Sequence, residues 1–145
     1  MNKTYNNVID ALKLIGDKHL MIKKTETGDL WDMDLEKNTK YPLYFINPES
    51  VSASTNTLTM TFQIFICDMV KTDTTNEQEV LSDTLQIALD IITLIKEEQY
   101  DGLYTQEDFN LEPFTERFDN ALSGWVFTLP IEVENDYQTC DIPTI

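Results

Sequence analysis

An α+β domain is the fold class this sequence predicts: an antiparallel sheet of about four strands packed against an N-terminal helix and one long central helix. Three observations predict it. Residues 57–69 alternate, with Leu58, Met60, Phe62, Ile64 and Ile66 on one side and Thr57, Thr59, Thr61 and Gln63 on the other. That two-residue period is a strand with one buried face. Residues 76–99 recur instead at helical spacing, through Val80, Leu81, Thr84, Leu85, Ile87, Ala88, Leu89, Ile91, Ile92, Leu94 and Ile95. Between residues 41–54 and the alternating run stands Ser54-Thr55-Asn56, turn chemistry that makes the two runs an antiparallel hairpin.

The remaining elements follow in order. Over residues 4–20, Val8, Ile9, Leu12, Ile15 and His19 share one helical face while Asp10, Lys13, Asp17 and Lys18 fill the other; Thr4 is placed to cap this helix, and Gly16 weakens its end. Residues 21–40 read as an irregular connector with Thr27-Gly28-Asp29 turn chemistry and one aromatic anchor, Trp31. The central helix begins with Asn76 as cap and with Glu77 and Glu79 at its positive dipole end. Its apolar positions together make a stripe wider than the third of the circumference that a helix lying on a sheet buries. Either the sheet wraps this helix or a second chain covers the remainder. A second hairpin is expected from Leu111, Pro113, Phe114 and Phe118 into the alternating run Trp125, Phe127, Leu129, Ile131 and Val133. Pro130 lacks a ladder N–H, so its strand is expected at an edge or a bulge. Residues 1–135 thus form one domain, and residues 136–145 an extended tail.

Ten basic and 26 acidic side chains among 145 residues give a net charge of −16. The imbalance is uneven: residues 1–71 carry eight basic and nine acidic groups, residues 72–145 two and 17. Such a surface repels phosphate, which argues against sequence-specific nucleic-acid binding, because the counterion release that drives it needs Lys and Arg. The carboxylates are either a solubilising face or the wall of a channel that DNA passes without sticking. No apolar run approaches the roughly 18 residues that span a bilayer, and the first residues lack the apolar core of a signal peptide. Cytoplasmic synthesis and assembly are expected. Cys67 in a strand and Cys140 near the tail have no CxxC spacing, so both are expected as free thiols.

Catalytic chemistry finds little support. The single histidine, His19, has no nucleophile singled out beside it, and a helix-terminal residue meeting the negative dipole end is its simpler reading. No P-loop, GxGxxG or HExxH occurs. Glu97-Glu98, Glu107-Asp108 and Asp32-x-Asp34 lack the spacing and glycine of a calcium loop. No enzyme activity, metal or cofactor is expected. Packing and surface remain. Trp125 reads as core, Trp31 as satellite core or an intermolecular anchor. Phe114 and Phe118 flank the sole arginine, Arg117, which is suited to a carboxylate on a neighbouring chain.

Several segments carry a resemblance: Gly28-Asp29-Leu30-Trp31-Asp32, Tyr41-Pro42-Leu43, Glu79-Val80-Leu81-Ser82-Asp83-Thr84-Leu85-Gln86-Ile87-Ala88, Pro113-Phe114-Thr115-Glu116-Arg117-Phe118-Asp119-Asn120, Gly124-Trp125 and Cys140-Asp141-Ile142-Pro143. Together they resemble small virion proteins of crAss-like tailed phages, and the architecture is similar to tail-terminator and head–tail joining folds. The resemblance implies a ring of identical copies in the head–tail connector, or neck, between portal protein and adjacent ring or tail proteins, with genome DNA crossing its lumen. It implies twelve copies if the ring follows portal symmetry and six if it caps the tail as a terminator. It brings no catalytic residues. Trp31, Phe114, Arg117, Ile142 and Pro143 are the interface candidates. A monomeric cytoplasmic accessory or binding domain is the competing expectation.

Overall fold

The computed structural model describes residues 5–28, 41–70, 75–97, 103–117, 122–135 and 142–143. Helix α1 spans Tyr5–Lys18, strand β1 Lys24–Thr27, β2 Leu43–Ala53 and β3 Thr57–Met69; helix α2 spans Glu77–Glu97, β4 Glu112–Arg117 and β5 Leu122–Glu134. The strands form one sheet in the order β1-β2-β3-β5-β4. β1 runs parallel to β2, and every other pairing is antiparallel. The α+β class stands, with five strands rather than four. The extra strand is β1, from the stretch expected to be an irregular connector. Lys24-Thr25-Glu26-Thr27 contains no apolar residue, so no alternation marks it; the β2 edge recruits it through pairing from Lys24↔Leu43 to Thr27↔Ile46.

Both helices pack on one face of the sheet. Val8, Ile9, Leu12 and Ile15 of α1 and Ile87, Ala88, Ile91, Ile92 and Ile95 of α2 close over Tyr44, Ile46, Phe62, Ile64, Ile66, Phe127, Leu129 and Ile131. Each fully buried aliphatic side chain there contributes about 1.5–3 kcal/mol. The opposite face holds a smaller cluster of Leu43, Phe45, Phe65, Cys67, Phe114 and Leu122. The middle of the sheet is therefore apolar on both faces, and the alternation of β3 is lost after Ile64 for that reason. Trp125, half-buried, donates its indole N–H to the Leu81 carbonyl of α2 at 2.8 Å.

The wide stripe of α2 is covered mainly within the chain. Val80, Thr84, Ile87, Ala88, Ile91, Ile92 and Ile95 are buried. Leu81, Leu85 and Leu94 are half-buried, and Leu89 is 44% exposed. Leu103, Phe109 and Leu111, in the segment after α2, join the same core and add a third wall beside the sheet and α1.

Three prolines stand where no ladder bond calls for their N–H. Glu132 donates to and accepts from Tyr104 (2.7 and 3.0 Å), so the even-numbered residues of β5 direct their N–H groups away from β3. Pro130 shares that direction, and its missing N–H costs the β3 ladder nothing. β5 is interior to the sheet and has no bulge at Pro130, where an edge or a bulge was expected; β4 pairs only as far as Glu112↔Val126, and the flank beyond is met by Tyr104 and by Thr105, whose hydroxyl donates to the Pro130 carbonyl at 2.8 Å. The same parity turns Pro113 toward the free side of β4. In β2 the Ile46 carbonyl accepts from Gly28 N–H, so Pro48, two residues on, faces outward where β1 has ended. Edges without a donor resist strand addition.

Two glycines permit close approach. A Cβ on Gly16 of α1 would stand 2.7 Å from the Thr25 hydroxyl, so the glycine lets α1 settle on β1. A Cβ on Gly124 would stand 1.9 Å from the Ile66 carbonyl oxygen, part of the β3 backbone. Gly124→Ala is expected to destabilise the fold by about 1–3 kcal/mol or more, because backbone must move to admit it; a denaturant midpoint equal to wild type contradicts this. Tyr44 is fully buried, and its hydroxyl has no hydrogen-bond partner among the described residues. Tyr44→Phe is therefore expected to be neutral or stabilising by about 1 kcal/mol, and a clear loss of melting temperature contradicts that.

Candidate functional site

The topology converts a charge imbalance along the sequence into one across the molecule. α1, β1 and β2 occupy one side of the sheet, and β5 and β4 the other. On the α1–β1 side Lys13, Lys18, Lys23 and Lys24 accompany Asp10, Asp17 and Glu26. On the far side Glu107, Asp108, Glu112, Glu132 and Glu134 are all exposed. Lys96, one of two basic residues after residue 71, is committed to packing: its Nζ donates to the Glu107 carbonyl at 2.6 Å and lies 5.8 Å from the Phe109 ring centroid. The described side chains of the far edge thus make an acidic surface.

Asp68 extends this acidity to the end of β3. Partial burial raises its carboxyl above the usual carboxylate range, the Met69 backbone N–H offsets part of that, and Asp83 raises it further. Cys67, beside it, is buried as a free thiol; burial pushes its pKa up, with Asp68 adding, and such a thiol is inert.

His19 has a structural task different from the one its helix-end position suggests. Its ring lies 2.9 Å through Nε2 from the Asp90 carboxylate, while Nδ1 accepts the Met21 backbone N–H at 3.1 Å. A carboxylate only accepts, so Nε2–H is the donor to Asp90. Gln86 donates to the other Asp90 oxygen at 3.2 Å. The ring fastens the end of α1 to the middle of α2, with no nucleophile in this network.

On the helix-free face a shallow cleft of about 210 Å³ is lined by Gln63, Gln106, Asn110, Glu112 and Thr128. Gln63 accepts from the Asn47 amide at 3.1 Å. These groups offer hydrogen bonds rather than an activated nucleophile. Among the described residues no group of three or more His, Cys, Asp or Glu side chains could hold a metal, and no helix is long and apolar enough to cross a membrane.

Phe114 is buried against Phe65, ring centroids 5.9 Å apart in an edge-on arrangement. Arg117 ends β4 opposite Leu122. Ile142 is 50% exposed and Pro143 is exposed. Trp31, the Thr4 cap, Cys140 and most of the tail lie outside the described residues. The turn after α1 was not singled out from the sequence. Leu20 is 90% and Met21 54% exposed there, between Lys18 and Lys23-Lys24; the available signal was an apolar pair with lysines on both sides.

No protein family matches the chain, and no curated protein matches it.

The raised pKa of Asp68 sets the sign of a pH dependence. A carboxyl whose folded pKa exceeds its unfolded value opposes folding while ionised, and that cost disappears as pH falls through the folded pKa to below the unfolded one. Asp68→Asn is therefore expected to be more stable than wild type at neutral pH, with the difference vanishing in acid. Equal unfolding midpoints at neutral pH contradict it.

Proposed function

We propose that this chain is a structural virion protein, a subunit of a ring in the head–tail connector of a crAss-like tailed phage. In this reading identical copies join portal to tail, and genome DNA passes through their lumen without specific binding. The chain assembles in the host bacterial cytoplasm and has no enzymatic activity. The observation that carries the proposal is the acidic edge. Carboxylates gathered on one side of a small closed domain suit a channel wall that repels DNA phosphate. The sequence resemblance supplies the setting, and an α+β domain with two helices on one sheet face suits head–tail joining folds. The commitment of His19, Lys96 and Trp125 to internal packing also fits a building block better than a catalyst.

A second reading, a monomeric cytoplasmic accessory or binding domain, is favoured by one observation: the chain itself covers most of α2. A third arrangement, a tail terminator, differs from the connector ring in copy number and position.

Mass spectrometry of purified virions, followed by reconstruction of the neck, separates these. The connector reading expects the chain in every particle as a twelvefold ring next to portal; a sixfold ring at the tail end identifies a terminator. Absence from particles overturns both and leaves the monomeric reading.

A further inference from the structure

The segment from Thr105 to Leu111 leaves the flank of β5 and returns to it, and both ends are fastened. At one end Tyr104 exchanges two main-chain bonds with Glu132, and the Thr105 hydroxyl donates to the Pro130 carbonyl. At the other, Glu112 pairs with Val126. Between them Phe109 meets Phe127 edge-on in the helix-side core, with 5.7 Å between ring centroids. This detour holds open the cleft of about 210 Å³ on the helix-free face, beside Thr128. The main-chain N–H and C=O of Thr128 find no main-chain partner among the described residues. A second cleft of about 260 Å³, lined by Thr59, Thr105, Pro130 and Glu132, meets the first at Gln106. Tyr104, 50% exposed, stands opposite Glu132 at the far end.

The polar groups of this groove both donate and accept. Asn47 donates to the side-chain oxygen of Gln63, so Gln63 offers its NH₂ group. Thr128 N–H is a further donor, and Thr128 C=O and the Glu112 carboxylate are acceptors. Gln106 and Asn110, both exposed amides, supply either kind of bond. Among the described residues no lysine or arginine lines either cleft, while Glu112 and Glu132 do.

We infer that this groove binds an uncharged saccharide, with one sugar ring in the cleft beside Thr128 and the chain running past Gln106 toward Tyr104. Sugar hydroxyls donate and accept at once, as the amides and the open backbone pair require, and the Tyr104 ring offers an apolar face to sugar C–H groups. An anionic ligand would meet only carboxylates. An extended peptide is the other ligand that an open strand flank invites. Pro130 argues against it: the residue has no N–H and its carbonyl is taken by Thr105, so an added ladder stops after Thr128. Glu107 and Asp108 do not line the groove, so a bound saccharide leaves them exposed. Binding requires neither a ring nor a second copy and is independent of the neck assignment.

Probing an array of neutral and sialylated glycans with the labelled full chain, then following the best neutral glycan by amide chemical shifts, tests the site. Neutral glycans are expected to bind, and sialylated forms of the same glycans about tenfold more weakly. The perturbed amides should gather at Gln63, Gln106, Asn110 and Thr128. Gln106→Ala with Asn110→Ala, checked for folding by circular dichroism, should weaken binding by about tenfold, since two hydrogen-bonding side chains are lost from exposed positions. Should that variant fail to fold, Tyr104→Ala is read instead; it should weaken binding of a trisaccharide and leave that of a monosaccharide unchanged. A silent array, a preference for sialylated glycans, perturbed amides away from Thr128, or full binding by the double variant each overturns the site. A response to an acetylated and amidated valine–threonine tetrapeptide, with none to glycans, also overturns it and assigns the flank to strand addition.

Discussion

The unbroken ladder between β3 and β5 is the constraint on which the rest of the molecule depends. Thirteen residues of each strand pair without a register shift, from Thr57↔Glu134 to Met69↔Leu122. Because side chains alternate with period two, this register decides at once that Met60, Phe62, Ile64 and Ile66 share a face with Phe127, Leu129, Ile131 and Val133. A slip of one residue would turn the whole set away from the helices. Gly124 lies within the ladder and keeps its Cα close to the Ile66 carbonyl, so backbone proximity and side-chain register depend on each other.

The ladder also distributes charge. β5 inserts between β3 and β4, and this places the N-terminal elements at one end of the sheet and the acidic C-terminal strands at the other. A charge difference that is a matter of composition in the sequence becomes a polarity of the folded body. Repulsion among the exposed carboxylates is tolerated because they stand in water, whereas Asp68, partly buried, shows the cost of ionisation away from it. The surface is acidic at one edge and stripped of outward backbone donors at three proline positions.

Much of this was legible in the sequence. The first hairpin, the second hairpin and both helices follow from periodicity and turn chemistry, with helix ends shifted by one or two residues, because a pattern of apolar positions does not fix where the last hydrogen bond falls. β1 was not legible: its four polar residues are a strand only because β2 offers an unpaired edge and α1 lies above it. Pro130 was expected to mark an edge or a bulge, yet it pairs with Thr61 in an interior, unbulged strand, because its missing N–H points away from β3. The width of the α2 stripe was plain, but its cover was not. Long-range packing by α1, the sheet and the Leu103–Leu111 neighbourhood decided that.

The candidate site was less legible. Net acidity was evident, but its gathering at one edge needed the strand order. The bond between His19 and Asp90 joins residues 71 positions apart, and no local pattern signals it. Phe114 was sought at an interface because it neighbours Arg117; the fold instead buries it against Phe65, another contact between distant parts of the chain.

Residue-resolved native-state hydrogen exchange tests the ladder most directly. The slowest amides should be those of β3 together with the odd-numbered positions of β5 from residue 125 to 133, whose N–H groups face β3, while Thr128, on the open flank, exchanges much faster. Slow exchange at Thr128 with fast exchange at Phe127 and Leu129 would mean that the opposite register holds, and the arrangement of core and charge described above would fail with it.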